Sequence, residues 1–448
     1  MISSSPADTI VAVATAPGKG GIGVVRISGS IAALIAKRLL SKVPSPRIAT
    51  LCEFRNTNDE VIDKGVALYF PAPNSFTGED VLELQGHGGP VVMDCLLTAV
   101  VQAGARLARP GEFSERSFLN GKMDLAQAEA VADLIDASTK QAAMSAMRSL
   151  QGQFSEKITA LAKALMHLRL YVEAAIDFPE EEIDFLADGH VLSKIEETLV
   201  QLGELQQQAK QGQLLKEGMT VVIIGRPNAG KSSLLNCLTG QESAIVTAIP
   251  GTTRDLVKET IQIEGMPLHI IDTAGIRHEA EEVEQEGIRR ALLQQELADR
   301  ILLVIDANKT PLMTQVEEDV LKQFPEKTTV IVNKIDLAQI QPGEREKKIY
   351  LSAKTEQGIS DLKNHLKHCM GYQAQESGTF TARRRHLTAL RVTRDCCEKA
   401  KEQLISYKAG ELVAQELKMA QDALGEIVGR VTTDDLLGEI FANFCIGK

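Results

Sequence analysis

Gly225-Arg-Pro-Asn-Ala-Gly-Lys-Ser232 lies between a short apolar run, Val221–Ile224, and a helical pattern, Ser233–Leu238. The order strand, glycine-rich loop, helix matches G-x-x-x-x-G-K-[ST], the phosphate-binding P-loop. Its glycines let backbone N–H groups turn inward, where they and the helix N-terminus surround phosphate oxygens. Lys231 should reach the β- and γ-phosphates and Ser232 should ligate Mg²⁺. A chance glycine turn would not bring this strand and helix with it.

The strands that follow decide the nucleotide. Ile270-Ile-Asp-Thr-Ala-Gly275 ends an apolar run in D-x-x-G. There Asp272 can hold the Mg²⁺ shell and the Gly275 N–H can touch the γ-phosphate. Val330-Ile-Val332 runs into Asn333-Lys-Ile-Asp336, an N-K-x-D at the end of a third strand. Its carboxylate can accept two hydrogen bonds from guanine N1–H and N2–H₂, a pair of donors adenine lacks. Tyr350-Leu-Ser-Ala-Lys354 looks like the fifth GTPase element, whose backbone touches guanine O6. The expected GTP contacts are Asn228, Ala229, Gly230, Lys231, Ser232 and Ser233 from the loop, and Asp272, Thr273, Ala274 and Gly275 from D-x-x-G. Asn333, Lys334, Asp336, Ser352, Ala353 and Lys354 should face the base.

Between loop and D-x-x-G lies a switch segment, Thr247, Ala248, Ile249, Pro250, Gly251, Thr252 and Thr253, also expected at the nucleotide. Ras-like GTPases place a water-orienting Gln after D-x-x-G. Here that position is Ile276, which has no hydrogen-bonding group. Glu279, Glu281, Glu282 and Glu284 follow, and a carboxylate there could position a water. Any one of them alone reads more simply as a solvated charge.

The 448 residues, 44% hydrophobic and 24% charged, suffice for two to four globular cores. A net charge of −11 argues against diffuse nucleic-acid binding, so such contact needs a local basic patch. Seven scattered Cys, with no C-x-x-C, read as free thiols in a reducing compartment rather than a zinc site. No secretion signal and no run of about 18 apolar residues is visible, so a cytoplasmic location without a membrane is expected, or an organelle after loss of a transit peptide.

Residues 1–118 read as a mixed α+β domain. Strands are predicted at Thr9–Ala14, Gly23–Ile27, Val66–Phe70 and Val81–Leu84, and helices at Ile31–Leu40 and Val91–Ala103. Pro17–Gly21 reads as a glycine loop, and Gly86-His-Gly-Gly89 as either a tight strand-to-helix turn or a ligand-facing loop with His87 over an anion or ring. Residues 119–216 and 373–448 carry apolar residues at helical spacing and should pack together as one bundle around an inserted domain, 217–372. The acidic run at Glu180–Glu182 reads as a solvated helix cap, and Arg383-Arg-Arg385 as a solvated helix start more readily than as a nucleic-acid contact.

The chain resembles the MnmE (TrmE) family of tRNA-modifying GTPases. The resemblance rests on the P-loop sequence, Pro250-Gly-Thr-Thr-Arg-Asp255, Asp272–Gly275, Ser75-Phe-Thr-Gly-Glu-Asp80, Leu84–Gly89 and the terminal Cys445-Ile-Gly-Lys448. It implies an N-terminal dimerising, folate-binding domain, a helical domain and an inserted Ras-like G domain. It implies a homodimer that, with an FAD-dependent partner of the MnmG/GidA family, installs a carboxymethylaminomethyl or aminomethyl group on wobble uridine 34 of certain tRNAs. The one-carbon unit would come from methylene-tetrahydrofolate, with 5-formyl-tetrahydrofolate as a ligand of the same site. By resemblance Asn228, Thr247, Ile249 and Thr252 hold K⁺, Ser232 and Thr253 hold Mg²⁺, and Glu284 orients the water. Arg26, Glu83, Lys122 and Lys448 match folate-contacting positions. Cys445 reads either as a small residue near a chain end or as a thiolate of the modification reaction. A ribosome-assembly GTPase shares the G motifs but would be expected to add a recognisable RNA-binding domain.

Overall fold

Strands β7 (Met219–Ile224), β10 (Arg300–Asp306) and β11 (Thr328–Asn333) are apolar almost end to end, as strands buried on both faces must be. Alternate residues divide between two cores. Val221, Ile223, Leu302, Val304 and Ile331 join one, with Leu234 and Leu238 of α8 (Lys231–Gln241). Val222, Ile224, Leu303, Ile305, Val330 and Val332 join the other. The computed structural model that carries these elements describes residues 8–177, 189–241, 258–263, 265–272, 298–310, 312–371, 379–407, 409–430, 433–442, 444–445 and 447.

Two compact units emerge: Asp133–Arg148 with Gly203–Leu387, and Met1–Ala132 with Ser149–Leu202 and Thr388–Lys448. The first holds a seven-stranded sheet in the order β12-β13-β11-β10-β7-β9-β8. Its remaining strands are β8 (Lys258–Ile263), β9 (Met266–Asp272), β12 (Gly343–Arg345) and β13 (Lys348–Tyr350). β7, β9, β10, β11 and β13 run parallel, and β8 and β12 are antiparallel edges. The parallel strands therefore present their C-terminal ends on one side, where open α/β sheets bind ligands.

In the same unit Asp133 is buried between Lys216, at 3.0 Å, and Arg383, at 2.7 Å. This corrects the reading of Arg383 as a solvated helix start or a nucleic-acid contact, because its charge is spent on an internal carboxylate. Arg384 is exposed and reaches Glu217 at 3.4 Å.

The second unit holds a six-stranded sheet, β3-β4-β5-β2-β1-β6. Its strands are β1 (Ile10–Val13), β2 (Gly20–Ser28), β3 (Thr50–Arg55), β4 (Val61–Phe70), β5 (Val81–Gly88) and β6 (Arg106–Leu107). Helices α1 (Ala32–Leu40) and α2 (Pro90–Gln102) cover one face through Ile35, Leu39, Leu96 and Val100. Farther along, α6 (Gln153–Asp177) packs along α13 (Gly410–Val428), one helix from each flanking segment.

Two readings of this region change. Gly86 to Gly88 are not a turn or loop: β5 continues through them, and only Gly89 stands between strand and helix. A Cβ on Gly88 would sit 2.7 Å from the Gly20 and Ile22 carbonyl oxygens, so the glycine permits the close strand pairing. His87 lies on the strand. It is exposed, and Asp63 accepts from both its N–H (2.7 Å) and its Nδ1 (2.8 Å). Gly20 and Gly21 belong to β2 rather than to the predicted loop, and β3 had no signal in the sequence reading. The acidic run at Glu180–Glu182 and the segment 373–378 lie outside the described residues.

A charge network fixes helix α3 (Glu112–Leu119). Buried Glu112 accepts from Arg106 (2.5 Å), from the Arg109 N–H (2.8 Å) and from Arg116 (3.1 Å). Burial alone would raise its carboxyl, but the three donors outweigh it and hold the pKa at about 2. A depressed carboxylate stabilises the fold above its unfolded pKa near 4.5, and that contribution is withdrawn as pH falls towards about 2. The stability lost between pH 5 and pH 3 should therefore shrink by roughly 2 kcal/mol in Glu112→Gln relative to the unmodified chain. Urea unfolding at the two pH values measures it; parallel losses in both proteins would remove Glu112 as the cause.

Candidate nucleotide-binding site

The loop Gly225–Gly230 joins β7 to α8. Gly225 has φ +144° and Gly230 φ +97°, values that favour glycine, and a Cβ on either would strike Val304 O or Asn333 Nδ2. Asn228 takes φ +61°, which Asn tolerates, and is exposed. Lys231 Nζ donates to the carbonyls of Gly225 and Arg226, each at 2.9 Å. Ser232 and Ser233 stand exposed in the first turn of α8, where the opening N–H groups of a helix have no intrahelical partner. Loop donors, an oriented ammonium and two hydroxyls thus converge on one helix end, an arrangement suited to polyphosphate.

The base end lies two strands along the sheet, at β11, with β10 between. Asn333, buried at the end of β11, donates from Nδ2 to Ala229 O at 3.0 Å and accepts from the Ala353 N–H at 3.0 Å. One side chain thereby joins phosphate loop and base loop. The latter is held by Ser352, whose N–H donates to Gln357 O at 2.9 Å and whose Oγ accepts from the Thr355 N–H at 3.2 Å. Lys334 takes φ +66° and reaches Asp306 Oδ2 at 2.8 Å. Burial alone would raise Asp306, but Lys334 and the Asn308 amide hold its carboxyl below the usual range. Asp306 was missed in the sequence, where a carboxylate ending a parallel strand was its only signal.

Asp336 Oδ1 is shut off from solvent and finds no hydrogen-bond partner among the described residues. A buried carboxylate oxygen without a donor costs free energy, which a ligand offering N–H groups recovers. Guanine supplies those donors. Asp272 ends β9 beside Ile223 of β7, so its backbone stands next to the phosphate loop. Thr247, Ala248, Ile249, Pro250, Gly251, Thr252, Thr253, Thr273, Ala274, Gly275 and Glu284 lie outside the described residues. Lys354 is exposed at the base loop.

The sequence also singled out Arg26, Glu83, Lys122, Cys445 and Lys448 in the other unit. Arg26 of β2 and Glu83 of β5 are register partners, bonded to one another Nε to Oε1 at 2.9 Å. The Arg26 guanidinium lies 5.7 Å from the Phe76 ring and 6.0 Å from the Phe113 ring. Arg26 Nη1 donates to Gly447 O at 3.5 Å, so the C-terminal tail reaches this place. Cys445 is exposed, and its carbonyl accepts from the Gly111 N–H at 3.4 Å. Lys122 is exposed and donates to Pro73 O at 3.0 Å, beside the loop that carries Phe76. The Ser75–Asp80 motif pins that loop: Thr77 and Glu79 bond Ser28, each at 2.7 Å, and Asp80 accepts from Tyr69 OH at 2.7 Å. Lys448 lies outside the described residues.

A parallel sheet with a P-loop at one strand end and a donor-seeking carboxylate at another defines a guanine-nucleotide-binding P-loop protein, a GTP hydrolase. Comparison with known proteins carries this further. The family model for the MnmE helical domain matches residues 125–445, and the model for the GTP-binding protein TrmE N-terminus matches residues 9–122. The "tRNA modification GTPase MnmE" of Hydrogenovibrio crunogenus is 57% identical over 447 residues, covering 98% of this chain and 99% of that protein. The proteins of that name from Proteus mirabilis and Coxiella burnetii are 55% and 56% identical over 450 residues, with the same coverage. The chain belongs to the MnmE family. Among the described residues no helix is long and apolar enough to cross a membrane.

Proposed function

We infer that this chain hydrolyses GTP to drive modification of the wobble uridine of certain tRNAs. It adds a carboxymethylaminomethyl or aminomethyl group at C5 of uridine 34, together with an FAD-dependent partner of the MnmG/GidA family. The observation that carries this reading is a full-length likeness, 57% over 98% of the chain, to a relative named for tRNA modification. Analysis of the nucleosides of tRNA from cells lacking this protein tests it. Loss of the modified uridine is expected, and its persistence at normal level would overturn the reading.

Ser232 offers an exposed hydroxyl at the helix end and Asn228 an exposed amide in the phosphate loop, and hard cations take such oxygen ligands. Mg²⁺ would be held by Ser232 with Thr253, and K⁺ by Asn228 with Thr247, Ile249 and Thr252. Both cations would supply positive charge to offset that of the phosphates. Glu284 would hold the attacking water, and pairing of two G domains would keep the switch segment closed. The chain would work as a homodimer in the cytoplasm.

Arg26, Glu83, Lys122 and the Cys445–Lys448 tail would form the tetrahydrofolate site. Glu83 is suited to accept from pterin N–H groups, and cationic side chains to meet the anionic glutamate of the ligand. Glu83→Ala should weaken 5-formyl-tetrahydrofolate binding about tenfold or more, the worth of a hydrogen bond to a charged group. Calorimetry on the full-length chain measures this, and an unchanged affinity would remove Glu83 from the site.

A further inference from the structure

We propose that Arg226 and Glu317 form a brace that positions the phosphate loop from its outer side, making both residues determinants of nucleotide affinity. Arg226 follows Gly225, and its own carbonyl is one of the two oxygens that hold Lys231 Nζ. Its side chain runs the other way. Nε donates to Glu317 Oε1 at 3.2 Å and Nη2 to Leu312 O at 2.6 Å. Main chain and side chain of one residue thus tie the P-loop lysine to a second structural element.

That element is helix α9 (Gln315–Gln323), whose N-terminus Glu317 caps. Glu317 is only 4% exposed. Its Oε2 accepts from the Thr314 N–H at 2.8 Å and from Thr314 Oγ1 at 3.0 Å, while the Thr314 hydroxyl accepts from the Glu317 N–H at 3.4 Å. This capping box holds the carboxylate through Oε2, so the guanidinium meets Oε1 of an acceptor that is already tethered. The segment leading into the box begins at Asp306, which holds Lys334 at the base end. Asp306, Leu312 and Glu317 therefore bond to Lys334 at the base end and to Arg226 at the phosphate end. Arg226 and Glu317 are positioning residues: they act on the phosphates through Lys231 and the loop backbone.

Arg226→Leu should raise the dissociation constant for GDP about tenfold, the lower range for loss of hydrogen bonds to a charged partner. Glu317→Gln keeps an oxygen for Thr314 but removes the charge, and should raise it by a similar factor. Because both changes break one brace, the double variant should be weaker than either single one by less than about twofold. Arg226→Lys should recover only part of the loss, since one ammonium does not reproduce the guanidinium's two directed bonds. Fluorescent-GDP titration of the full-length proteins, at a temperature where circular dichroism shows every variant folded, measures all four. Affinity within twofold of the unmodified chain in the folded Arg226→Leu protein would overturn the proposal. So would single losses that simply multiply in the double variant, because independent damage multiplies and a shared brace does not.

Discussion

The Asp336→Asn variant should bind GTP about 10³-fold more weakly and accept xanthosine triphosphate in its place. The expectation rests on Asp336 Oδ1, which lies buried with no donor among the described residues. In a complex with GTP the carboxylate would accept from N1–H and from the 2-amino group of guanine. An amide at this position still accepts once, but its NH₂ then faces the guanine 2-amino group, donor against donor. Xanthine carries a carbonyl there and keeps its N1–H, so acceptor and donor are both met. The buried setting makes the effect large, because an unmatched polar pair recovers nothing from water. The neighbours that shape the base end are left in place by the substitution, including Asn333 with its bonds to Ala229 and Ala353. The ratio of kcat/KM for the two triphosphates is the measurement. A variant that retains its preference for GTP would show that another residue reads the base.

Exchanging potassium for sodium at matched ionic strength and saturating GTP should lower kcat by about 10³-fold, with a much smaller change in nucleotide affinity. The argument begins at Ile276, an apolar residue where Ras-like GTPases place a water-orienting glutamine. A site without that amide needs another source of charge near the phosphates and another group to hold the water. Asn228, exposed in the P-loop at φ +61°, offers an amide oxygen for the first task. Glu284 is the proposed group for the second. Sodium is smaller and is poorly held by a cage of potassium size, so its effect should fall on turnover. Glu284→Ala should keep GTP affinity near normal and lose most of the turnover, because it acts on the water and not on the phosphates. Asn228→Ala should lose the potassium response first. Equal rates in the two salts would take the ion out of the reaction.

The acid sensitivity traced to Glu112 and the brace at Arg226 rest on a different kind of information from these two expectations. Asp336, Ile276 and Lys231 are legible because a P-loop or an N-K-x-D is a contiguous stretch at a strand end. The chemistry of such a stretch depends on neighbours in sequence and on a strand that apolar composition already announces. The parallel sheet was legible for the same reason, since runs such as Val330–Val332 are apolar on both faces.

Other features had no local signature. Arg26 and Gly447 are 421 residues apart and meet only because the C-terminal tail returns to β2. Arg383 reads as part of a surface run in the sequence, but its partner Asp133 lies 250 residues earlier. Gly86-His-Gly88 resembles a turn in composition, yet pairing with β2 makes it strand. The capping box at Thr314 and Glu317 is a pattern visible in the chain, but Arg226, 91 residues from Glu317, is not part of it. The sequence by itself determined the nucleotide class, the parallel strands of the nucleotide-binding sheet and the stretches expected at the ligand, because those follow from short-range backbone geometry and apolar periodicity. Tertiary structure alone decided which charges are paired and which side chains brace the site. Partner choice among charged groups is settled by burial and distance, and neither is written in the spacing of residues along the chain.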